Sequence, residues 1–225
     1  MIHGALADPH RLQIVDLLAL SDLAPSELAE HLRIGSNLLA HHFAILENAG
    51  LVERLPSAGD GRRRYLRLVP QVVVGPSPAV APLVADAVLF VCTGNSARSQ
   101  MAAALWNRVS EIPAASAGTH PAAEVHPFAV RAAARAGLDL SGARPRSVDE
   151  IAGRPDLIVT VCDRAHEEMR ALDEGATALH WSIPDPRDVR AQAAFDDSLA
   201  RLAARIGVLG PRVTRRPRGR RKART

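Results

Sequence analysis

The stretch VLFVCTGNSARSQMAAALW, residues 88–106, carries the densest chemistry in the chain. Its apolar run closes on Cys92 as a buried strand would, and an alanine-rich helical pattern begins near Ser99 after a short polar loop. A strand that turns into a helix this way gathers backbone N–H groups at the helix N-terminus, where they favour an anion. Five residues separate Cys92 from Arg98, enough for the amides of Thr93, Gly94, Asn95, Ser96, Ala97 and Arg98 to curl around one tetrahedral oxyanion. The Arg98 guanidinium would add two parallel hydrogen bonds. The same positive field favours a thiolate at Cys92, the nucleophile such a cradle needs, and a hydrogen bond from Ser99 would stabilise it further. Gly94 permits an unusual backbone angle, and the Asn95 amide can hold the loop.

Outward from this stretch, strand-like runs recur at 87–92, 114–118, 156–162 and 178–182, separated by helical segments. That alternation predicts an α/β domain with a parallel sheet over residues 85–210. Before it, PQVVVGPSPAVAP breaks the pattern with prolines, which places a linker at 70–84 and a separate domain at 1–69. No repeat of 20–50 residues is present. The 225 residues are 47% hydrophobic and 23% charged, which excludes disorder of the whole. No apolar run spans a bilayer, no signal sequence opens the chain, and two cysteines are too few for a disulfide framework. A cytoplasmic protein without membrane contact is expected. The net charge of +4 conceals a division: the last fourteen residues hold eight Arg or Lys and no acid, leaving −4 on the rest. Residues 211–225 are therefore expected to form a disordered basic tail, either drawn to polyanions or simply solubilising.

In residues 1–69, Ile14, Leu17 and Leu18 share one helix face, with Val15 widening the stripe. Ser26 is a candidate N-cap for a second helix. A third begins near Ser36 after Gly35, which gives the spacing of a helix-turn-helix. Gly50 ends that helix, and two strands follow around a Gly-Asp-Gly turn bearing Arg62, Arg63 and Arg64. A hairpin with a basic tip makes a wing. Ser36, Asn37, His41 and His42 would reach bases or phosphates in a major groove, while the wing arginines meet the backbone. With seven Arg against eight acids, binding must come from local charge placement. In LADPHRLQIV, SELAEHL, SNLLAHHFAILENAGLV and the wing, the segment resembles winged-helix repressors of the ArsR type. The resemblance implies DNA as a partner and a possible homodimer. The paired-cysteine metal-sensing motif of such repressors is replaced here by LAPSE, so metalloid sensing through thiolates is not expected.

CTGNSARSQMA, SAGTHPA at 116–122, LIVTVCDRAHEEM at 157–169 and HWSIPDP at 180–186 resemble the low-molecular-weight tyrosine phosphatase fold, and among its members the arsenate reductases. The resemblance implies that Asp185 is the general acid, an arsenate or phosphate-like oxyanion is the substrate, and Cys162 is the second thiol that expels arsenite as a disulfide forms. A buried strand-end cysteine acting only as a small hydrophobe is the alternative for Cys162. The position of a third, shuttle thiol is Met169, so an external small thiol or glutaredoxin-like redoxin is expected as reductant, with no bound cofactor. Arg187 stands where the phosphatases carry an aromatic platform for phosphotyrosine. His120, His126, His166 and His180 lack metal-ligand spacing, and no bound metal is expected. Three functions fit: an arsenate reductase fused to a DNA-binding regulator, a tyrosine phosphatase tethered to DNA, and an oxyanion sensor without turnover.

Overall fold

The computed structural model describes residues 2–69, 82–153, 155–169 and 176–216. Two hydrophobic cores form, one on each side of the undescribed stretch 70–81. The first gathers helices α1 (Ile2–Leu6), α2 (Pro9–Leu20), α3 (Pro25–Leu32) and α4 (Ser36–Asn48) against a hairpin of β1 (Val52–Pro56) and β2 (Arg64–Leu68). Ile14, Val15 and Leu18 of α2 meet Leu28, Leu39, Phe43, Leu46 and Leu66 there, as the helical spacing predicts. The hairpin is antiparallel with Val52 opposite Leu68, and Gly50 turns the chain into it at φ +69°, a left-handed angle that favours glycine. One cap differs from expectation. Helix α3 starts at Pro25, because proline fits the first helical position, and Glu27 reaches back to accept from the Ala24 amide at 2.7 Å; Ser26 is not the cap.

The second core surrounds four parallel strands in the order β5-β4-β6-β7, with β4 (Val88–Cys92), β5 (Ala114–Gly118), β6 (Leu157–Thr160) and β7 (Thr177–His180). Helices α5 (Arg98–Val109), α6 (Pro127–Arg135), α7 (Asp163–Met169) and α8 (Gln192–Leu209) complete it. Central strand β4 is buried at all five positions and places Cys92 at the carboxyl end of the sheet, where ligands bind in α/β folds. A short parallel pair, β3 (Leu83–Val84) with β8 (Val213–Thr214), lies across both expected domain boundaries. The linker expected at 70–84 and the tail expected at 211–225 are thus ordered at residues 83–84 and 213–214, because each supplies the other's ladder partners. Residues 70–81 and 217–225 of those two segments lie outside the described residues. Among the described residues, no helix is long and apolar enough to cross a membrane.

The two cores are joined by buried polar contacts. Asp22, fully buried, pairs with Arg67 of β2 at 3.1 Å and with Arg205 of α8, and accepts from the Ser182 amide at 2.8 Å. Burial alone would raise its carboxyl, but the charges of Arg205 and Arg67 outweigh that and hold it below the usual range. The Trp181 indole donates to the Leu20 carbonyl at 2.8 Å, and the Asp22 amide donates to that of His180 at 2.7 Å.

Candidate active site

The loop between β4 and α5 is held from outside. The carbonyls of Cys92, Thr93, Gly94 and Ser96 accept from the amides of Thr119, His120, Ala122 and His126 at 2.8–3.2 Å. With its carbonyls taken this way, the loop keeps its own N–H groups for the interior: those of residues 94–97 donate to no acceptor among the described residues, although all four residues are buried. Four successive N–H groups without a protein acceptor make a nest for an anion. Asn95, at φ +46°, locks this shape. Its Nδ2 donates to Ser99 Oγ at 2.8 Å, and its Oδ1 accepts from Gln100 Nε2 at 3.1 Å and the Arg146 amide at 2.9 Å. Ser99 Oγ stands 3.0 Å from Cys92 Sγ. Gly118 shapes the loop from β5, since a Cβ there would lie 2.6 Å from the Thr93 carbonyl oxygen and 3.0 Å from Asn95. Gly118→Ala is expected to push the loop off its geometry and lower turnover about 10²-fold, the cost of a ~1 Å misplacement. Steady-state rates on a folded variant, checked by circular dichroism, would measure this.

The second thiol is close by. Cys162 Sγ accepts from the Thr93 amide at 3.3 Å and lies 3.4 Å from Thr93 Oγ1, so it touches the residue that follows Cys92. Burial pushes its thiol up against the opposing pull of Arg98. Arg98 donates to the Ile183 carbonyl at 2.9 Å and to Asp185 at 2.6 Å, and Arg187 binds the same carboxylate at 2.7 Å. Burial would raise the Asp185 carboxyl, but the Arg187 hydrogen bonds and the Arg98 charge hold it below the usual range. Thr93, Arg98, Cys162, Asp185 and Arg187 line a cavity of about 210 Å³ with Asp163, Arg164, Asp188 and Ala58 and no aromatic ring.

Residues 87–217 match the family described as low molecular weight phosphotyrosine protein phosphatase. The chain belongs to this phosphatase family. Within its span, an arsenate reductase of Halalkalibacterium halodurans is 37% identical over 103 residues, covering 44% of this chain and 73% of that protein. One of Bacillus subtilis is 34% identical over 117 residues, covering 50% of this chain and 81% of that one. The crystal structure of an arsenate reductase from Archaeoglobus fulgidus is 34% identical, with a TM-score of 0.47 over 54% of this chain and 98% of that one. Residues 8–54 match the bacterial regulatory protein, arsR family.

In the arsR-type segment, Ser36, Asn37 and His41 are exposed along α4, and Arg62 and Arg64 are exposed on the wing. His42 is not: it is buried, with its side chain 6% exposed, and faces Asp8 instead of solvent. It lies with Leu39, Phe43 and Leu46 at the i, i+3, i+4, i+7 spacing of the inner face, a signal available in the sequence. Arg63 is turned toward Glu167 of the phosphatase-family domain at 3.9 Å and is half-buried. The whole wing turn follows it. The Ala58 amide donates to Asp163 at 2.7 Å, Ser57 Oγ to Glu167 at 2.7 Å and the Asp60 amide to Glu167 at 2.9 Å. Tyr65 also donates to Glu167 at 3.2 Å, and burial beside that carboxylate pushes its phenol well above its ordinary range. At Gly59 a Cβ would lie 2.4 Å from Glu167 and 3.1 Å from the Arg164 Cα. Helix α7, which starts immediately after Cys162, thus carries the wing turn of the other domain at the mouth of the cavity. Sequence reasoning missed Asp163, Glu167 and Gly118.

Proposed function

We propose that the chain reduces arsenate to arsenite through an adduct on Cys92 and carries a DNA-binding regulator on the same polypeptide. The observation that carries the reading is the row of amides at 94–97 beside Cys92 that donate to no acceptor among the described residues, with a second thiol against Thr93. The Cys92 thiolate attacks arsenic, an As–O bond breaks, and the oxygen leaves as water with a proton from Asp185. At rest Asp185 is ionised between two arginines. An arsenate anion that takes Arg98 to itself removes one of those cations and raises the carboxyl's proton affinity. Cys162 then gives up its proton and attacks the Cys92 sulfur. The S–S bond forms, the S–As bond breaks, and its electron pair stays on arsenic, which passes from As(V) to As(III) as two thiols become one disulfide. An external thiol or redoxin reopens the disulfide. The cavity wall of Arg98, Arg187 and Arg164 suits a free oxyanion, and an aryl phosphate finds no ring there to stack on. Arsenite released in a single turnover is the deciding experiment; if reduced protein releases none with or without added thiol, the reading fails.

For the first domain, Ser36, Asn37, His41, Arg62 and Arg64 are the residues we assign to DNA. Because the wing turn rests on α7, movement of Cys162 into a disulfide would disturb the carboxylates that hold Ala58 and Asp60. Amide hydrogen exchange at residues 58–60 is expected to quicken at least ~10-fold in the disulfide form, a loss of about 1.4 kcal/mol of local protection. Equal exchange in both redox forms would show that the wing does not sense Cys162.

A further inference from the structure

His42, expected at the DNA surface, is turned inward instead, and its Nδ1 has no hydrogen-bond partner although its side chain is only 6% exposed. A buried imidazole nitrogen left unpaired needs an explanation. It points toward Asp8 Oδ1, 3.8 Å away, and His10 Nδ1 lies 3.9 Å from the same oxygen. One ligand atom from each of Asp8, His10 and His42 can be chosen so that all three lie within 4.8 Å of one another. The rings of His10 and His42 stack at 5.4 Å, and His41 stands 5.8 Å from His42, exposed.

We propose that Asp8, His10 and His42 form a site for a divalent transition metal of the zinc class, in the DNA-binding domain and separate from the thiol chemistry. A separation of 3.8 Å is too long for a hydrogen bond, which would need a contraction of about 0.9 Å. A tetrahedral ion at 2.0–2.1 Å from its donors sets them about 3.3 Å apart, so each histidine would close on Asp8 by roughly 0.5 Å, and the two imidazole nitrogens, within 4.8 Å of each other, by at most about 1.5 Å. The donor set is two imidazoles and one carboxylate, the borderline mixture that zinc, cobalt and nickel accept, with water or His41 left to complete it. The protonation states suit it. Burial holds His42 below its ordinary value against the pull of Asp8, which favours the neutral imidazole a metal takes; burial would raise the Asp8 carboxyl, but the hydrogen bonds from the Arg11 and His10 amides hold it below the usual range. Asp8 is the N-cap of α2, accepting from the His10 and Arg11 amides at 2.9 and 3.1 Å, so its carboxylate is fixed in place before any ion arrives. The ion would staple the start of α2 to the middle of α4, the helix that presents Ser36, Asn37 and His41. This group lies outside the histidines at 120–180, so their lack of metal-ligand spacing does not bear on it.

Titration of the reduced full-length chain with Co(II) tests it by absorption. The expected result is one equivalent with visible bands of a tetrahedral nitrogen and oxygen set and no thiolate charge-transfer band. His10→Ala, at a half-exposed position, is expected to keep the fold by circular dichroism and weaken binding at least tenfold. Asp8→Asn, which still caps the helix, is expected to weaken it too. Thiolate bands, wild-type titration of both variants, or no binding up to millimolar Co(II) would each overturn the proposal.

Discussion

Reduced protein given excess arsenate and no other thiol is expected to release about one equivalent of arsenite and to lose roughly two mass units. Cys162→Ala is expected to release none and to keep its mass. The expectation rests on the contact of Cys162 Sγ with the Thr93 amide at 3.3 Å, which places the second sulfur against the residue following the nucleophile. Cys92→Ser removes the nucleophile we propose, and its turnover should fall on the order of 10⁴-fold or more under every condition, with any thiol supplied. The two variants separate the roles. Should Cys162→Ala turn over normally once a small thiol is supplied, and wild type release nothing without it, Cys162 is a buried structural residue and the external thiol attacks the adduct directly.

The strand-loop-helix around Cys92 was legible because its signals are local: an apolar run, a loop of fixed length and a helix start within nineteen residues. The parallel sheet, the helix beginning at Ser36 and the hairpin followed from periodicity and turn residues in the same way. The site's outer support was not legible. Gly118 matters because β5 passes within a Cβ's reach of Thr93, and nothing in SAGTHPA alone states that distance. The docked wing depends on pairs such as the Ala58 amide with Asp163 and the Ser57 hydroxyl with Glu167, more than a hundred positions apart, between groups that each look like ordinary surface polar groups. Arg63 reads as a wing arginine by composition, and only its neighbours turn it from phosphate toward Glu167. His42 is a different failure. Its position on the apolar face was visible, but a histidine in a recognition helix invited a functional reading over a packing one.

Asp22 is where the two domains depend on each other most, and Asp22→Ala is expected to destabilise the protein by about 3–5 kcal/mol, because it strands buried cations. Arg67 keeps a side-chain exposure of 7% and Arg205 of 15% around a carboxylate with none. Removing that carboxylate leaves two guanidinium groups facing each other and the Ser182 amide without its acceptor. For a chain of this size the loss corresponds to a fall in Tm of roughly 6–20 °C, readable by calorimetry. The pH dependence has a definite sign. Asp22 is depressed in the folded state, so its contribution is complete above the unfolded value near 3.8 and is lost as pH falls through the folded one. His180, buried beside it, is also depressed, chiefly by desolvation, so its contribution is complete above about 6.5 and erodes as pH falls below that, since only the unfolded chain takes up the proton readily. Stability should therefore decline in two windows, first below 6.5 and again below 3.8, and His180→Gln should shrink the first, to which the depressed His42 and His126 also contribute, while leaving the second. If Asp22→Ala instead melts within about 1 kcal/mol of wild type, apolar contact and the Trp181 bond to Leu20 hold the domains together, and the ion cluster sets their orientation without stabilising it.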